Sequence, residues 1–115
     1  FPKTAWPSDF KDAAQEAGMA VRTGKAAFAH NAMARACDET AGFVELVCEE
    51  STGRLVGAQV VGAAAGDLVS ALAQAIAFGA TDEDLSLVIW PHPSMSETIQ
   101  DAAFASLRVS EKRRK

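Results

Sequence analysis

Cysteine is scarce in this sequence, and its placement excludes the common forms of cysteine chemistry. Of the two, Cys37 lies in a polar stretch and Cys48 in an apolar alternation. Two residues do not make a disulfide scaffold, and their separation fits neither a zinc knuckle nor a C-x-x-C redox pair. We therefore expect reduced thiols that only fill space. Histidine is equally scarce: His30 and His92 have no partner at ligand spacing, so the sequence predicts no metal site.

An excess of positive charge is also missing. The chain has 11 lysines and arginines against 15 aspartates and glutamates, a net charge of −4, and its basic residues are scattered. This distribution argues against a nucleic-acid partner, which would require a basic face. The one basic run, residues 112–115, lies at the C-terminal end. We expect residues 108–115 to form a flexible, solvated tail.

No apolar run is long enough to cross a membrane. The longest, residues 68–80, is interrupted by Ser70, Gln74 and Gly79, whereas a span requires about 20 apolar residues. Residues 1–7 lack the charged, apolar and small-residue zones of a signal peptide. These features predict a cytosolic protein that does not contact a membrane.

Motifs that mark a cofactor or nucleophile site are missing too. No G-x-G-x-x-G follows a predicted strand, and the nearest sequence, GAAAGD at residues 62–67, has the wrong glycine spacing for a phosphate cradle. No serine lies in a nucleophile elbow. By itself the chain therefore offers no motif that would bind a cofactor.

The sequence does contain enough apolar residues for one core. Its 115 residues, 49% of them apolar, predict a single domain over residues 1–115. Four segments carry helical periodicity or caps: residues 8–18, 63–78, 81–90, and from Ser94 onward. Three segments alternate as strands: residues 19–28, 43–49 and 55–61, the last two forming a hairpin. Because strands and helices come in blocks, we predict an α+β fold, an antiparallel sheet with helices packed on one side.

Some residues allow finer predictions about packing. Gly57 and Gly62 indicate a bulge or a close backbone approach in the last strand. The wide apolar face of residues 63–78 predicts a largely buried helix. In the last helix four residues are expected to face the core: Ile99, Ala102, Ala103 and Leu107. Residues 30–37 are too mixed to assign.

The stretch WPHPSMSE, residues 90–97, carries the candidate for acid–base chemistry. Pro93 disfavours the α region for His92, and Pro91 has a fixed φ, so the backbone aims the imidazole. Glu97 is near enough in sequence for its carboxylate to reach a ring nitrogen. Such a carboxylate selects the tautomer, orients the ring and stabilises its protonated form, as a general acid/base near neutral pH requires.

A purely structural interpretation of the same residues stands beside this one. Ser94 and Glu97 have the S-x-x-E spacing of a capping box, in which Glu97 accepts a hydrogen bond from the N–H of the cap residue. Spacing alone favours this interpretation, and Pro93 would then only end the preceding segment. His30 has no comparable neighbourhood and is expected to be an ordinary surface residue.

Four segments in this order resemble a known family: DETAGFVELV, STGRLVGAQVVGAAAGDLV, AIAFGATDEDL and HPSMSETIQDAA. Over about residues 18–103 the chain is similar to the C-terminal dimerisation domain of the FAD-dependent pyridine nucleotide-disulfide oxidoreductases. Among these it is most similar to the dihydrolipoamide dehydrogenases. The HPxxSE stretch is specific in this context, and in Glu97 capping and an acid–base role can coexist.

The resemblance implies a function that needs more than this chain. His92 would be the catalytic acid/base toward a dithiol of the lipoyl type, oriented by Glu97, and would reach across a two-fold axis into the other subunit's active site. A flavin and a redox-active disulfide would lie there, with Pro93 near the flavin. FAD and NAD would belong to other domains of a larger enzyme, so this chain alone would bind neither and would be inactive. Its partners would be a second copy of itself, those domains and the dithiol.

Several residues depart from the family pattern. Asp67 is shorter than the usual glutamate, Trp90 stands where many members carry another histidine, and Cys37 and Cys48 are not the family's redox pair. The substrate therefore stays open, with mercuric or glutathione reductase as alternative parent enzymes. Two other functions stay open as well: an interaction-only dimerisation module, and a stand-alone ligand-binding α+β protein.

Overall fold

Four antiparallel strands form one sheet in the computed structural model, which describes residues 3–4 and 14–115. The strands are β1 (Lys3–Thr4), β2 (Val21–Ala27), β3 (Phe43–Glu49) and β4 (Leu55–Gly62), in the spatial order β1–β4–β3–β2. Leu46 of β3 lies opposite Ala58 of β4 on one side and Gly24 of β2 on the other. The alternation of apolar residues predicted the hairpin of β3 and β4 to within a few residues.

Helices connect and follow these strands. They are a 3-10 turn (Phe28–His30), α1 (Ala32–Ala36), α2 (Ala65–Ala77), α3 (Asp82–Leu87) and α4 (Glu97–Arg114). Residues 14–16 are also helical, whereas the rest of the helix predicted over residues 8–18 lies mostly outside the described residues. Within the described part of the chain, no helix has both the length and the apolar content to cross a bilayer.

The core lies between one face of the sheet and the helices. Alternate residues of β3, Val44, Leu46 and Cys48, belong to the core cluster, so the helices cover the face to which these side chains point. Helix α4 packs against β2 and β3, α2 packs against β4, and α3 packs against α4. The predicted α+β fold with helices on one side of an antiparallel sheet is confirmed.

Glycines allow close backbone contacts on this face. A Cβ on Gly24 would overlap the carbonyl of Ala102, so the glycine lets α4 lie directly on β2. Gly62 has φ +148°, and a Cβ there would meet the Phe28 ring. The pairing of β3 with β4 shifts beside Gly57, which is the predicted bulge.

Two packing predictions differ from the structure. Helix α2 buries only the stripe of Ala65, Leu68 and Leu72, because it contacts the sheet along one side. Leu107 of α4 is half-buried, whereas Ile99, Ala102 and Ala103 are buried as predicted.

The predicted flexible tail also differs from the structure. Residues 108–114 continue helix α4, whose Ser110 is buried. Arg113 forms an ion pair with Glu50, with its Nη1 2.6 Å from a carboxylate oxygen. The cationic residues 112–114 also lie at the C-terminal end of the helix, where the backbone dipole favours positive charge. These contacts hold the segment against the domain, which its basic composition alone does not indicate.

Candidate functional site

The segment that joins α3 to α4, residues 88–96, carries His92; we call it the histidine loop. Its His92–Pro93 peptide is cis. The His92 side chain is 71% exposed, so the ring lies at the surface of the chain. Glu97 is the first residue of α4, which places its carboxylate beside the end of this loop.

The structure brings His92 and Glu97 together. The Nδ1 atom of His92 lies 2.9 Å from Oε1 and 3.1 Å from Oε2 of Glu97. A carboxylate at Nδ1 holds the proton of the neutral ring there and leaves the lone pair on Nε2. Among the described residues nothing bonds Nε2, which is thus open to a proton donor from outside the chain.

Glu97 also forms one of the two hydrogen bonds that the capping-box interpretation requires. The backbone N–H of Ser94 donates to its Oε1 atom at 3.0 Å. The reciprocal half of a capping box, in which the Ser94 hydroxyl oxygen accepts the N–H of Glu97, is not formed among the described contacts; this hydroxyl donates to the Pro91 carbonyl at 2.6 Å. One carboxylate therefore closes the loop and holds the ring of His92, so the two interpretations of Glu97 are compatible.

Two side chains attach the first half of the histidine loop to the helices. The indole Nε1–H of Trp90 donates to the Leu85 carbonyl at 2.9 Å, and its ring packs against the core. The side-chain amide of Gln100 donates to the Val88 carbonyl of the loop at 3.4 Å and to the Ser86 carbonyl of α3 at 2.9 Å. Trp90, which stands where many family members have another histidine, is thus an anchor in this chain.

A third anchor, Asn31, is absent from the sequence predictions. This residue is buried, and its amide nitrogen donates to the Ser94 carbonyl at 2.8 Å and to the Thr98 hydroxyl at 3.0 Å. Its Oδ1 accepts the N–H of Ala34, which makes it the N-cap of α1. The signal that could have revealed it is an asparagine directly before a short alanine-rich segment, a common N-cap position.

Sequence reasoning also missed a buried ion pair at the start of α3. Arg22 Nε donates to Asp82 Oδ2 and Nη2 to Oδ1, each at 3.0 Å, and both side chains are buried. The Ser106 hydroxyl donates to Asp82 at 2.6 Å, and Arg22 Nη1 donates to the Glu50 carbonyl at 3.2 Å. The pair joins β2, α3, α4 and the hairpin turn.

The two cysteines have separate environments. Cys48 lies in the core, where burial, followed by the charge of Asp82, raises the pKa of its thiol to about 12. A thiol with that pKa stays protonated near neutral pH, so Cys48 is not a nucleophile there. Cys37 is exposed and contacts Met33, with 3.7 Å between the sulfurs.

The described residues do not fit a dinucleotide cofactor or a metal. The N-terminal turn of α2, which follows GAAAGD, has no side-chain cap and contains Asp67, whose charge would repel a phosphate. Within residues 3–4 and 14–115, no group of three or more His, Cys, Asp or Glu side chains could hold a metal ion. A flavin would need residues outside this part of the chain. His30, which is exposed, is not part of the candidate site.

Comparison with known proteins identifies sequences that are similar to most of this chain. The mitochondrial dihydrolipoyl dehydrogenases of Sus scrofa and Homo sapiens are 33% and 34% identical over 105 residues, which is 91% of this chain. The chain spans about a fifth, 21%, of the length of these relatives.

Solved structures show the same fold. The crystal structure of LpdA from Mycobacterium tuberculosis matches 82% of this chain and 20% of its own, with a TM-score of 0.75 and 30% identity. The HOCl-induced flavoprotein disulfide reductase RclA from Escherichia coli matches 90% of this chain and 26% of its own, with a TM-score of 0.78 at 21% identity. The second match supports the fold alone.

The family model described as "Pyridine nucleotide-disulphide oxidoreductase, dimerisation domain" matches residues 10–103, most of the chain. This match includes strands β2 to β4, helices α1 to α3 and the whole histidine loop, and it agrees with the identity to the dihydrolipoyl dehydrogenases. The chain therefore belongs to the dimerisation-domain family of the pyridine nucleotide-disulphide oxidoreductases.

Proposed function

We propose that this chain is the dimerisation domain of a larger dihydrolipoyl dehydrogenase-like enzyme and supplies His92 and Glu97 to the dithiol site of the partner subunit. The observation that carries the proposal is the geometry of the pair. The Glu97 carboxylate contacts Nδ1 of His92, while Nε2 of this exposed ring has no hydrogen bond to any described residue. A base built this way, with no substrate site among the described residues, is suited to act on a site that another part of the assembled enzyme supplies.

His92 would act as a general base toward the dithiol. Its neutral Nε2 accepts the proton of one thiol, and the resulting thiolate attacks a sulfur of the enzyme's disulfide to form a mixed disulfide. The second thiol of the substrate then loses its proton to the enzyme thiolate released in the first step and attacks the substrate sulfur of the mixed disulfide, so the other enzyme cysteine leaves as a thiolate. The substrate leaves as a disulfide, and the enzyme's pair is reduced by two electrons. Glu97, as a carboxylate, stabilises the imidazolium formed in the first step.

FAD and NAD would be held by the other domains of the enzyme. The described residues offer no site for either, so no step of the proposal passes through this chain's own binding of a cofactor. Pro93, next to His92 in the exposed loop, would lie near the partner's flavin. The cytosolic location stays a prediction.

The surface beside the histidine loop favours pairing of two copies. Leu87, Val88 and Ile89 are all exposed, and Ile89 is 97% exposed. Contiguous apolar side chains on a surface mark an interaction site, and the commonest closed arrangement of identical chains is a two-fold dimer. Contact across such an axis would place the histidine loop against the partner subunit.

Sedimentation equilibrium of the purified 115-residue chain tests the dimer. We expect the mass of two chains at the higher concentrations, with no flavin absorbance on the same sample. The chain with both Leu87→Ser and Ile89→Ser is the matched variant and should associate more weakly, since these side chains would lose their apolar contact. A single-chain mass at every concentration contradicts self-association of this domain.

A hybrid dimer of the full-length enzyme tests the acid–base role across subunits. One subunit carries His92→Gln, and the other lacks a cysteine of the redox-active disulfide. If His92 serves the partner, the hybrid has one complete site and retains about half of the wild-type rate per dimer, although each homodimer is nearly inactive. If His92 serves its own subunit, the hybrid is as inactive as the homodimers.

An interaction-only module is the second candidate, favoured by the exposed apolar residues 87–89. It predicts the same dimer in sedimentation but an active His92→Gln homodimer. Mercuric and glutathione reductases stay as alternative parents, and a rate measured with a dihydrolipoyl substrate beside rates with glutathione disulfide and Hg²⁺ separates the three.

A further inference from the structure

We propose that Asn31 is a positioning residue for the pair of His92 and Glu97. It lies 63 residues before Ser94 in the sequence, yet its side-chain amide donates to the Ser94 carbonyl at 2.8 Å. Its role for catalysis rests on the function proposed above, but its role in holding the pair can be measured without any activity.

The orientation of the Asn31 amide is determined by its neighbours. On one side lies the N–H of Ala34, which can only donate, so the oxygen faces it at 2.9 Å. On the other side lies the carbonyl of Ser94, which can only accept, so the nitrogen faces it. The second amide hydrogen is directed to the Thr98 hydroxyl at 3.0 Å. Every polar atom of this buried side chain therefore has a partner.

Ser94 links this anchor to the histidine. Its carbonyl accepts from Asn31, and its backbone N–H donates to Glu97 Oε1 at 3.0 Å. The same carboxylate contacts Nδ1 of His92 at 2.9 Å. A displacement of the Ser94 backbone would therefore move the N–H that helps to hold the Glu97 carboxylate in line with the imidazole.

His92 depends on such indirect support because packing does not hold it. Its side chain is 71% exposed, and its described polar contacts are those with Glu97. Asn31, by contrast, is only 4% exposed and is fixed from three sides. The series of contacts thus runs from the rigid, buried side chain of Asn31 to the exposed, reactive ring of His92.

Capping of α1 does not by itself explain an asparagine here. Serine and aspartate cap helices about as well as asparagine, since each offers an oxygen to the first free backbone N–H groups. What asparagine adds is an NH₂ group that reaches the Ser94 carbonyl. Asn31→Ser therefore separates the two roles, because it keeps an oxygen for the cap and removes the donor to the loop.

The test is the tautomer of the neutral His92 ring in the chain, read from two-bond ¹H–¹⁵N correlations of the imidazole. In the wild type we expect the Nδ1–H form to dominate, because Glu97 accepts that proton. In Asn31→Ser the Nδ1–H form should become the minor one, replaced by the Nε2–H form that an unrestrained histidine prefers. Glu97→Ala should give the same change.

Controls separate positioning from general loss of stability. Leu72→Ala, in the core of α2, weakens folding without touching the loop's contacts and should leave the tautomer unchanged. Asn31→Asp keeps the cap and the size but turns a carboxylate toward the Ser94 carbonyl; it should shift the tautomer as Asn31→Ser does. Circular dichroism checks that each variant is folded.

An Nδ1–H tautomer that persists in both folded Asn31 variants overturns the proposal. That result would leave the acid–base function of His92 intact, whereas an inactive hybrid dimer would remove the contribution of His92 to the partner subunit and leave the positioning by Asn31 standing. In the full-length enzyme, positioning should appear as a loss of kcat in Asn31→Ser with little change in KM.

Discussion

A full-length enzyme with His92→Gln is expected to turn over about 10² to 10⁴ times more slowly than the wild type, the range that a general acid/base contributes. Glutamine can donate and accept hydrogen bonds, but it cannot take up a proton near neutral pH. The thiol would then have to ionise without assistance. The measurement is steady-state oxidation of a dihydrolipoyl substrate, with flavin content determined by absorbance on the same samples.

His30→Gln is the matched control for this substitution. His30 is the chain's other histidine, and it is exposed at the end of the 3-10 turn, outside the candidate site. Its replacement should leave the rate near that of the wild type. A His92→Gln enzyme with nearly wild-type turnover would rule out the proposed acid–base role, and a loss of flavin would point to a folding defect instead.

The second large effect concerns stability. Asp82→Ala is expected to lower the free energy of unfolding by about 3 to 5 kcal/mol, the usual cost of removing one partner from a buried ion pair. The guanidinium of Arg22 would lose both carboxylate contacts while it stays buried, and the Ser106 hydroxyl would lose its acceptor. Urea denaturation measures the change as a shift in midpoint at a constant m value.

Glu83→Ala removes a carboxylate from the next position of the same helix and is the control. Its side chain is exposed, so the expected loss is at most about 1 kcal/mol, from the weaker interaction with the helix dipole. If Asp82→Ala and Glu83→Ala cost the same, the pair of Arg22 and Asp82 does not stabilise the fold as described. The charge removed is equal in both, so the difference reports the buried contacts.

Local signals in the sequence were enough to predict most of the secondary structure. Alternating apolar residues predicted β3 and β4, and the Ser-Thr-Gly turn between them joined the hairpin. Thr81 as an N-cap, followed by the three acidic residues 82–84, predicted the start of α3, and the structure forms both hydrogen bonds of a capping box there. Such signals act within a few residues, so they can be recognised without knowledge of the fold.

The candidate site was predicted only in its local part. His92 and Glu97 are close in sequence, and the prolines on both sides of His92 indicated that the backbone fixes the direction of the imidazole. Asn31 and Arg22 were missed because their partners lie 63 and 60 residues away. A polar residue in an unassigned or alternating segment has no feature that shows it will be buried and bonded.

The sequence alone determined the α+β class, the hairpin and the proximity of His92 and Glu97, because each depends on short-range periodicity, turn residues or a contiguous motif. Only the tertiary structure decided how that pair is held. Helix α4 packs directly on the sheet through Gly24, and the start of α1 lies beside the histidine loop. There Asn31 meets Ser94, and the Arg22–Asp82 pair fixes the start of α3. These contacts depend on the mutual arrangement of whole elements, which no local pattern encodes.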